Sequence, residues 1–221
     1  MRKNVKKQLA LRVLSTAALV AMVSSIATAA FAAEYDVTKG SVDILAEGGK
    51  QYITQWEDKD NNLCVKDGEG KEIRDREDSK IVLTTKNKDT GKTETTHNTV
   101  TIDAKEGNTA NVTLKDVDIE TESSWNNSGS APIEIKGNGN TNLELNGDNT
   151  VLSGDRHHAA IEKADKNGHG TLTIKDDLND DNSTPKDKDE NGNAAGGDTG
   201  KLLAGGYGDG AGIGGAHVPH R

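Results

Sequence analysis

A single cysteine, Cys64, stands among the 221 residues. That excludes an intrachain disulfide and any thiolate-based zinc or iron–sulfur constellation, and it leaves Cys64 as a buried bystander thiol. Aromatic residues make up 3% of the chain and hydrophobic residues 32%, a composition that taken alone would suit disorder. Clustered Lys and Arg are missing too. The net charge of −9 argues against nucleic acid as a partner, because phosphate binding needs a concentrated basic surface. After Ala32 the sequence shows no amphipathic helix of useful length.

What is present begins with a targeting pattern. Arg2, Lys3, Lys6 and Lys7 precede an apolar stretch from Leu9 to Val23, and Ala30-Phe31-Ala32 places small residues at the usual cleavage spacing. The pattern predicts a secretory signal peptide over residues 1–32, cleaved between Ala32 and Ala33. The apolar run is too short, and too interrupted by Ser and Thr, for a retained membrane anchor. The mature chain is therefore expected to be secreted, extracellular or at the cell surface.

From Asn98 onward one phrase keeps returning, a short alternating strand word closed by Gly or Asn. Its copies read NTVTI (98–102), ANVTL (110–114), PIEI (132–135), TNLEL (141–145), GTLTI (170–174) and GAGIGG (210–215). Each word has an apolar face and a polar face of Thr, Glu or Asn, and none can cover its apolar side alone. Stacking of the copies is the expected remedy. The unit Ala131-Pro132-Ile133-Glu134 … Asn142 to Leu145 is echoed 28 to 29 residues later by Ala159-Ala160-Ile161-Glu162 … Thr171 to Ile174. Asn and Gly between the words suit tight corners. The expected fold is all-β, a right-handed parallel β-helix or β-solenoid; an antiparallel sandwich of hairpins is the competing architecture. Residues 33–97 alternate more loosely and read as an N-terminal cap with irregular first coils, while residues 98–221 read as the coils proper. Residues 176–199 carry Asp, Asn, Lys and Gly but almost no apolar side chain, and read as an acidic flexible insert.

Tyr35-Asp36-Val37, NTVTI, ANVTL, the Asn142 to Leu152 segment, GTLTI and Gly210 to Gly215 together resemble secreted, Gly/Asn-rich right-handed parallel β-helix proteins of Gram-positive gut bacteria, described as carbohydrate-binding-domain proteins. The resemblance spans most of the mature chain and is more specific for fold than for activity. It implies a polysaccharide-binding or adhesion module, sometimes associated with calcium. Members usually continue past a GAGIGG-type turn, so further coils after Arg221 are an expectation too.

Asp187, Asp189, Asn191, Asn193 and Asp198 follow the spacing of a calcium loop, in which alternate oxygens converge on one cation and Gly192 permits the sharp turn. An Asp stands where the closing Glu would be, and no helices flank the loop, so a solvated acidic loop is the other reading. Trp125 lies in a polar stretch with Asn126 and Asn127; an exposed indole beside amides suits a sugar ring, whose C–H faces are apolar and whose hydroxyls need partners. Trp56 and Tyr207 read as structural. His157-His158 reads as a turn pair, because adjacent strand residues point to opposite faces. Asp116 and Asp118 read as two acids on one strand face.

The function expected is a non-catalytic carbohydrate-binding module for an extracellular polysaccharide or host glycan, with calcium as a possible cofactor. A structural or adhesive spacer is the alternative. A polysaccharide lyase or hydrolase is the weakest, since grouped carboxylates are absent from the strand words and fold alone confers no activity.

Overall fold

The computed structural model describes residues 33–58, 63–123, 129–164, 169–178, 199–208 and 210–215. These residues are almost wholly strand and turn. The first strands are β1 (Glu34–Asp36), β2 (Ser41–Glu47), β3 (Lys50–Asp58), β4 (Leu63–Cys64), β5 (Arg76–Glu77) and β6 (Ile81–Thr84). Next come β7 (Val100–Ala104), β8 (Thr109–Lys115), β9 (Asp118–Glu120), β10 (Ile133–Lys136), β11 (Asn140–Asn146) and β12 (Asp148–Ser153). The last are β13 (Ile161–Lys163), β14 (Leu172–Lys175), β15 (Lys201–Gly206) and β16 (Ile213–Gly214). No helix among the described residues is long and apolar enough to cross a membrane.

The strands form three sheets. The first runs β1-β6-β8-β11-β14, the second β16-β13-β10-β7-β2-β3-β4 with β5 beside β3, and the third β15-β12-β9. From β7 onward the chain visits the second, first and third sheets in unchanging rotation, and every pairing among these strands is parallel. Because side chains alternate with a period of two, in-register parallel pairing stacks like on like. Val42, Val100, Ile133, Ile161 and Ile213 form one such column. Ile81, Val112, Leu143 and Ile174 form a second, and Ile119, Val151 and Ala204 a third. Members of all three columns join one hydrophobic cluster, in which Ile102, Leu114, Ile119, Ile133 and Ile161 are completely buried. Each such side chain contributes about 2 kcal/mol of transfer free energy.

The words at 98–102 and 110–114 therefore do not stack on one another; they occupy the second and first sheets. Stacking instead joins NTVTI to PIEI and ANVTL to TNLEL. Matching the two-strand units by spelling would set Leu143 over Leu172. The structure sets Leu143 against Ile174 and Thr141 against Leu172. A shift of two residues keeps the same face inward, so the core tolerates it.

In the 33–97 region β2 pairs in parallel with β7, β6 pairs in parallel with β8, and Thr96 bridges to Ile119 of the third sheet. The departure from parallel order is β3, which doubles back on β2. Gly48 and Gly49 make that turn with φ of 61° and 77°, the left-handed pair that a two-residue type I′ hairpin requires. β4 and β5 extend the antiparallel segment. Ile53, Val65 and Ile73 carry the core beyond β2. Gln55 is buried among them, and its side-chain amide donates to the carbonyls of Asp36 at 2.6 Å and Gly40 at 3.2 Å. Cys64 is free and buried, and that burial pushes its thiol pKa up.

Candidate functional site

Inward placement of Val42, Ile44, Val100, Ile102, Ile133 and Ile135 turns Asp43, Leu45, Thr101, Asp103, Glu134 and Lys136 to the outside of the second sheet. On antiparallel β3 Gln51, Ile53 and Gln55 point into the core, and Tyr52, Thr54 and Trp56 share the opposite face, where Thr54 is also buried. The register sets Thr54 and Thr101 on either side of Asp43, and Tyr52 and Asp103 on either side of Leu45. Lys136 stands opposite Asp103 on the next strand. Together these residues line an open cleft of about 550 Å³, a size that suits a small ligand or a segment of a longer one.

The indole of Trp56 is fixed from two directions. Its Nε1 donates to the Asp43 carboxylate at 2.6 Å. The Arg74 guanidinium lies 5.3 Å from the ring centroid, within cation–π range. Opposite, Asp75 adopts φ 46°, and its backbone N–H donates to the Thr54 hydroxyl at 3.0 Å. That contact brings the Asp75 carboxylate to the cleft wall. Asp103 accepts from Lys105 at 2.6 Å through Oδ2, and this bond holds the Lys105 ammonium above its ordinary pKa. The other oxygen, Asp103 Oδ1, is enclosed and has no hydrogen-bond donor among the described residues. Lys136 pairs with Glu134 at 2.9 Å. The cleft thus offers an immobilised ring, carboxylate acceptors and two ammonium donors.

Trp56, read as a structural core or cap residue, lies on the outer face of β3 and is not among the buried core residues. Tyr207 is not one either, being 54% exposed. Asp116 and Asp118 do not share a strand face. Asp116 sits at the corner between β8 and β9 with φ 50° and pairs with Lys86, whereas Asp118 starts β9 and accepts from the Thr95 hydroxyl. His157 and His158 do lie in a turn. Each approaches a buried acid, with His158 Nδ1 2.9 Å from Glu162 and His157 Nδ1 3.5 Å from Asp155.

Trp125, Asn126 and Asn127 lie outside the described residues, as do Asp187, Asp189, Asn191, Asn193 and Asp198. The two ends flanking the acidic insert are brought together, since the Gly200 N–H donates to the Asp176 carboxylate at 3.0 Å. Among the described residues no three His, Cys, Asp or Glu side chains are grouped to hold a metal ion. The cleft residues that sequence reasoning passed over had one visible signal. Tyr52, Thr54 and Trp56 alternate along a strand, so two of the chain's few aromatics share one face.

Compared with known proteins, the chain matches no family model, no curated protein and no solved structure.

Proposed function

We propose that the exported chain is a right-handed parallel β-helix that binds carbohydrate without transforming it, holding an extracellular polysaccharide or host glycan in the Trp56 cleft. Strands that from β7 onward rotate among three sheets with parallel pairing support a coil, and parallel crossovers are right-handed with few exceptions. In this reading β3, β4 and β5 cap the first rung, residues from 98 onward form the coils, and residues 176–199 are an insert able to take calcium.

One observation carries the binding proposal: an anchored indole stands in the same open cleft as the Asp75 and Asp103 carboxylates and the Lys105 and Lys136 ammonium groups. A pyranose complements that set, laying an apolar C–H face on the ring and donating a hydroxyl to a carboxylate. Asp43 and Asp103 are engaged in holding Trp56 and Lys105, which supports a binding role over acid–base catalysis.

A glycan array identifies the ligand, and titration of the best hit into variants tests the site. Trp56→Ala is expected to weaken affinity about tenfold or more, the equivalent of about 1.4 kcal/mol, and Trp56→Phe to retain most of it. A silent array, or full affinity in Trp56→Ala, overturns the proposal. Trp125→Ala in the same assay tests the Trp125, Asn126 and Asn127 site separately. For calcium, calorimetric heats unchanged by Asp187→Ala with Asp189→Ala remove the loop.

A further inference from the structure

The outside of the first sheet carries a second groove, on a different face from the Trp56 cleft. Two hollows of about 280 and 260 Å³ adjoin there, sharing Ser79 and Asn111 in their walls. Asn111 of β8 and Asn142 of β11 stand in register, and Asn142 Nδ2 donates to Asn111 Oδ1 at 2.9 Å. Stacked amides linked this way still offer the Asn111 Nδ2 group as donor and Asn142 Oδ1 as acceptor to a ligand.

Glu144 lies farther along β11 on the same face. It is only 5% exposed, because the chain after β14 folds across it, and its Oε1 accepts from the N–H groups of Asp177 at 2.9 Å and Leu178 at 2.7 Å. Its Oε2 has no hydrogen bond among the described residues, although the Lys175 ammonium stands 3.5 Å away. The Lys175 ammonium faces that oxygen as an ion-pair partner, so the buried carboxylate is balanced within the groove wall. On the opposite wall lies Lys80. Lys50 pairs with Glu77, and Lys175 with Asp177, whereas the Lys80 ammonium has no acidic partner among the described residues. No aromatic ring lines either hollow.

We propose that this groove is a second binding site, selective for an acidic sugar, a uronic-acid unit within an oligosaccharide. The sugar carboxylate pairs with Lys80. Its hydroxyls donate to Asn142 Oδ1 and accept from Asn111 Nδ2. Without a ring to stack on, recognition depends on hydrogen bonds and one charge, so a neutral sugar of the same shape loses the strongest contact. The choice of sugar rests on the carbohydrate-binding reading above, but the site shares no residue with the Trp56 cleft.

The test titrates the chain by calorimetry, at low ionic strength, with trigalacturonate, triglucuronate and neutral galactotriose. At least one uronate is expected to bind about tenfold tighter than the neutral trisaccharide. Lys80→Gln and Asn142→Ala are each expected to weaken the uronate about tenfold, and Trp56→Ala to leave it unchanged. The Lys80 and Asn142 side chains lie on the surface, so both variants should fold. The proposal is overturned if neither uronate binds, if the neutral sugar binds equally well, or if both groove variants bind like the parent. Glycan binding that Trp56→Ala alone abolishes would leave the first site standing and remove the second.

Discussion

Replacing Asn149 tests the architecture at its most connected side chain. The residue is 2% exposed and lies near the start of β12, where the chain passes from the first sheet to the third. Its Nδ2 donates to Asn146 O at 3.1 Å, Gly147 O at 3.4 Å and Lys201 O at 3.1 Å. Its Oδ1 accepts from Val117 N–H at 3.1 Å. One amide therefore ties its own corner to the residue preceding β9 and to the start of β15. Asn149→Ala orphans the Val117 N–H, while the Lys201 carbonyl keeps the backbone bond of its parallel pairing with β12. At about 1–3 kcal/mol for a buried unsatisfied group, the loss comes to about 2 kcal/mol. A domain of this size loses about 2–4 °C of Tm per kcal/mol, so thermal unfolding followed by circular dichroism should move down by about 4–8 °C. Asn149→Asp keeps the acceptor but turns a carboxylate toward three carbonyl oxygens. It should be less stable than Asn149→Ala at pH 8 and recover as the pH falls toward 4 and the acid is protonated. A Tm for Asn149→Ala within 2 °C of the parent, or an Asn149→Asp variant indifferent to pH, would refute the reasoning.

Two corner glycines of nearly equal φ should respond differently to the same change. At Gly137, φ 76°, a Cβ would come 2.2 Å from the Ala104 carbonyl oxygen, while at Gly107, φ 75°, it would meet open space. Gly107→Ala should cost only the left-handed strain of about 1–2 kcal/mol, and Gly137→Ala about 2 kcal/mol more; equal urea midpoints would contradict this. Burial raises the Glu144 pKa above its ordinary 4.5, against the N–H bond from Leu178. An acid raised in the folded state costs stability above its folded pKa, and that cost is gone below the unfolded value. Glu144→Gln keeps an acceptor for the Asp177 and Leu178 N–H groups. It should therefore melt above the parent at pH 8 and level with it at pH 4, and a Tm difference that ignores pH would discount the burial.

The apolar words were legible because each obeys a local rule. Val100 with Ile102, and Ile133 with Ile135, alternate with polar residues, and Ala160-Ile161-Glu162 repeats Pro132-Ile133-Glu134 closely enough to give the Ile133–Ile161 pairing correctly. Which word stacks on which was less legible. Spacing along the chain does not say which words share a sheet, so the words alone did not specify that NTVTI meets PIEI and ANVTL meets TNLEL. The pairing of β2 with β7 was hidden for another reason, since the whole β3 to β5 segment and β6 intervene between Val42 and Val100. The cleft was lost with it. Trp56 reads as a strand end until β3 is known to turn its outer face toward Asp43, and Asp103 reads as a solvated acid until Lys136 and Lys105 are set beside it. Both groups of side chains expected to bind, Trp125 to Asn127 and the acids from Asp187 to Asp198, fall in stretches without strand alternation, where local pattern specifies composition but not position.

The hairpin of β2 and β3 closes through two glycines, whereas β2 meets β7 only after a long stretch of chain has been made. β4 and β5 add to that hairpin from nearby in sequence, so the antiparallel segment closes over short loops while the parallel pairings close over long ones. Loop closure costs less entropy over a short separation than over a long one. The antiparallel turn that interrupts the parallel order is therefore also the part of the second sheet that costs least to form.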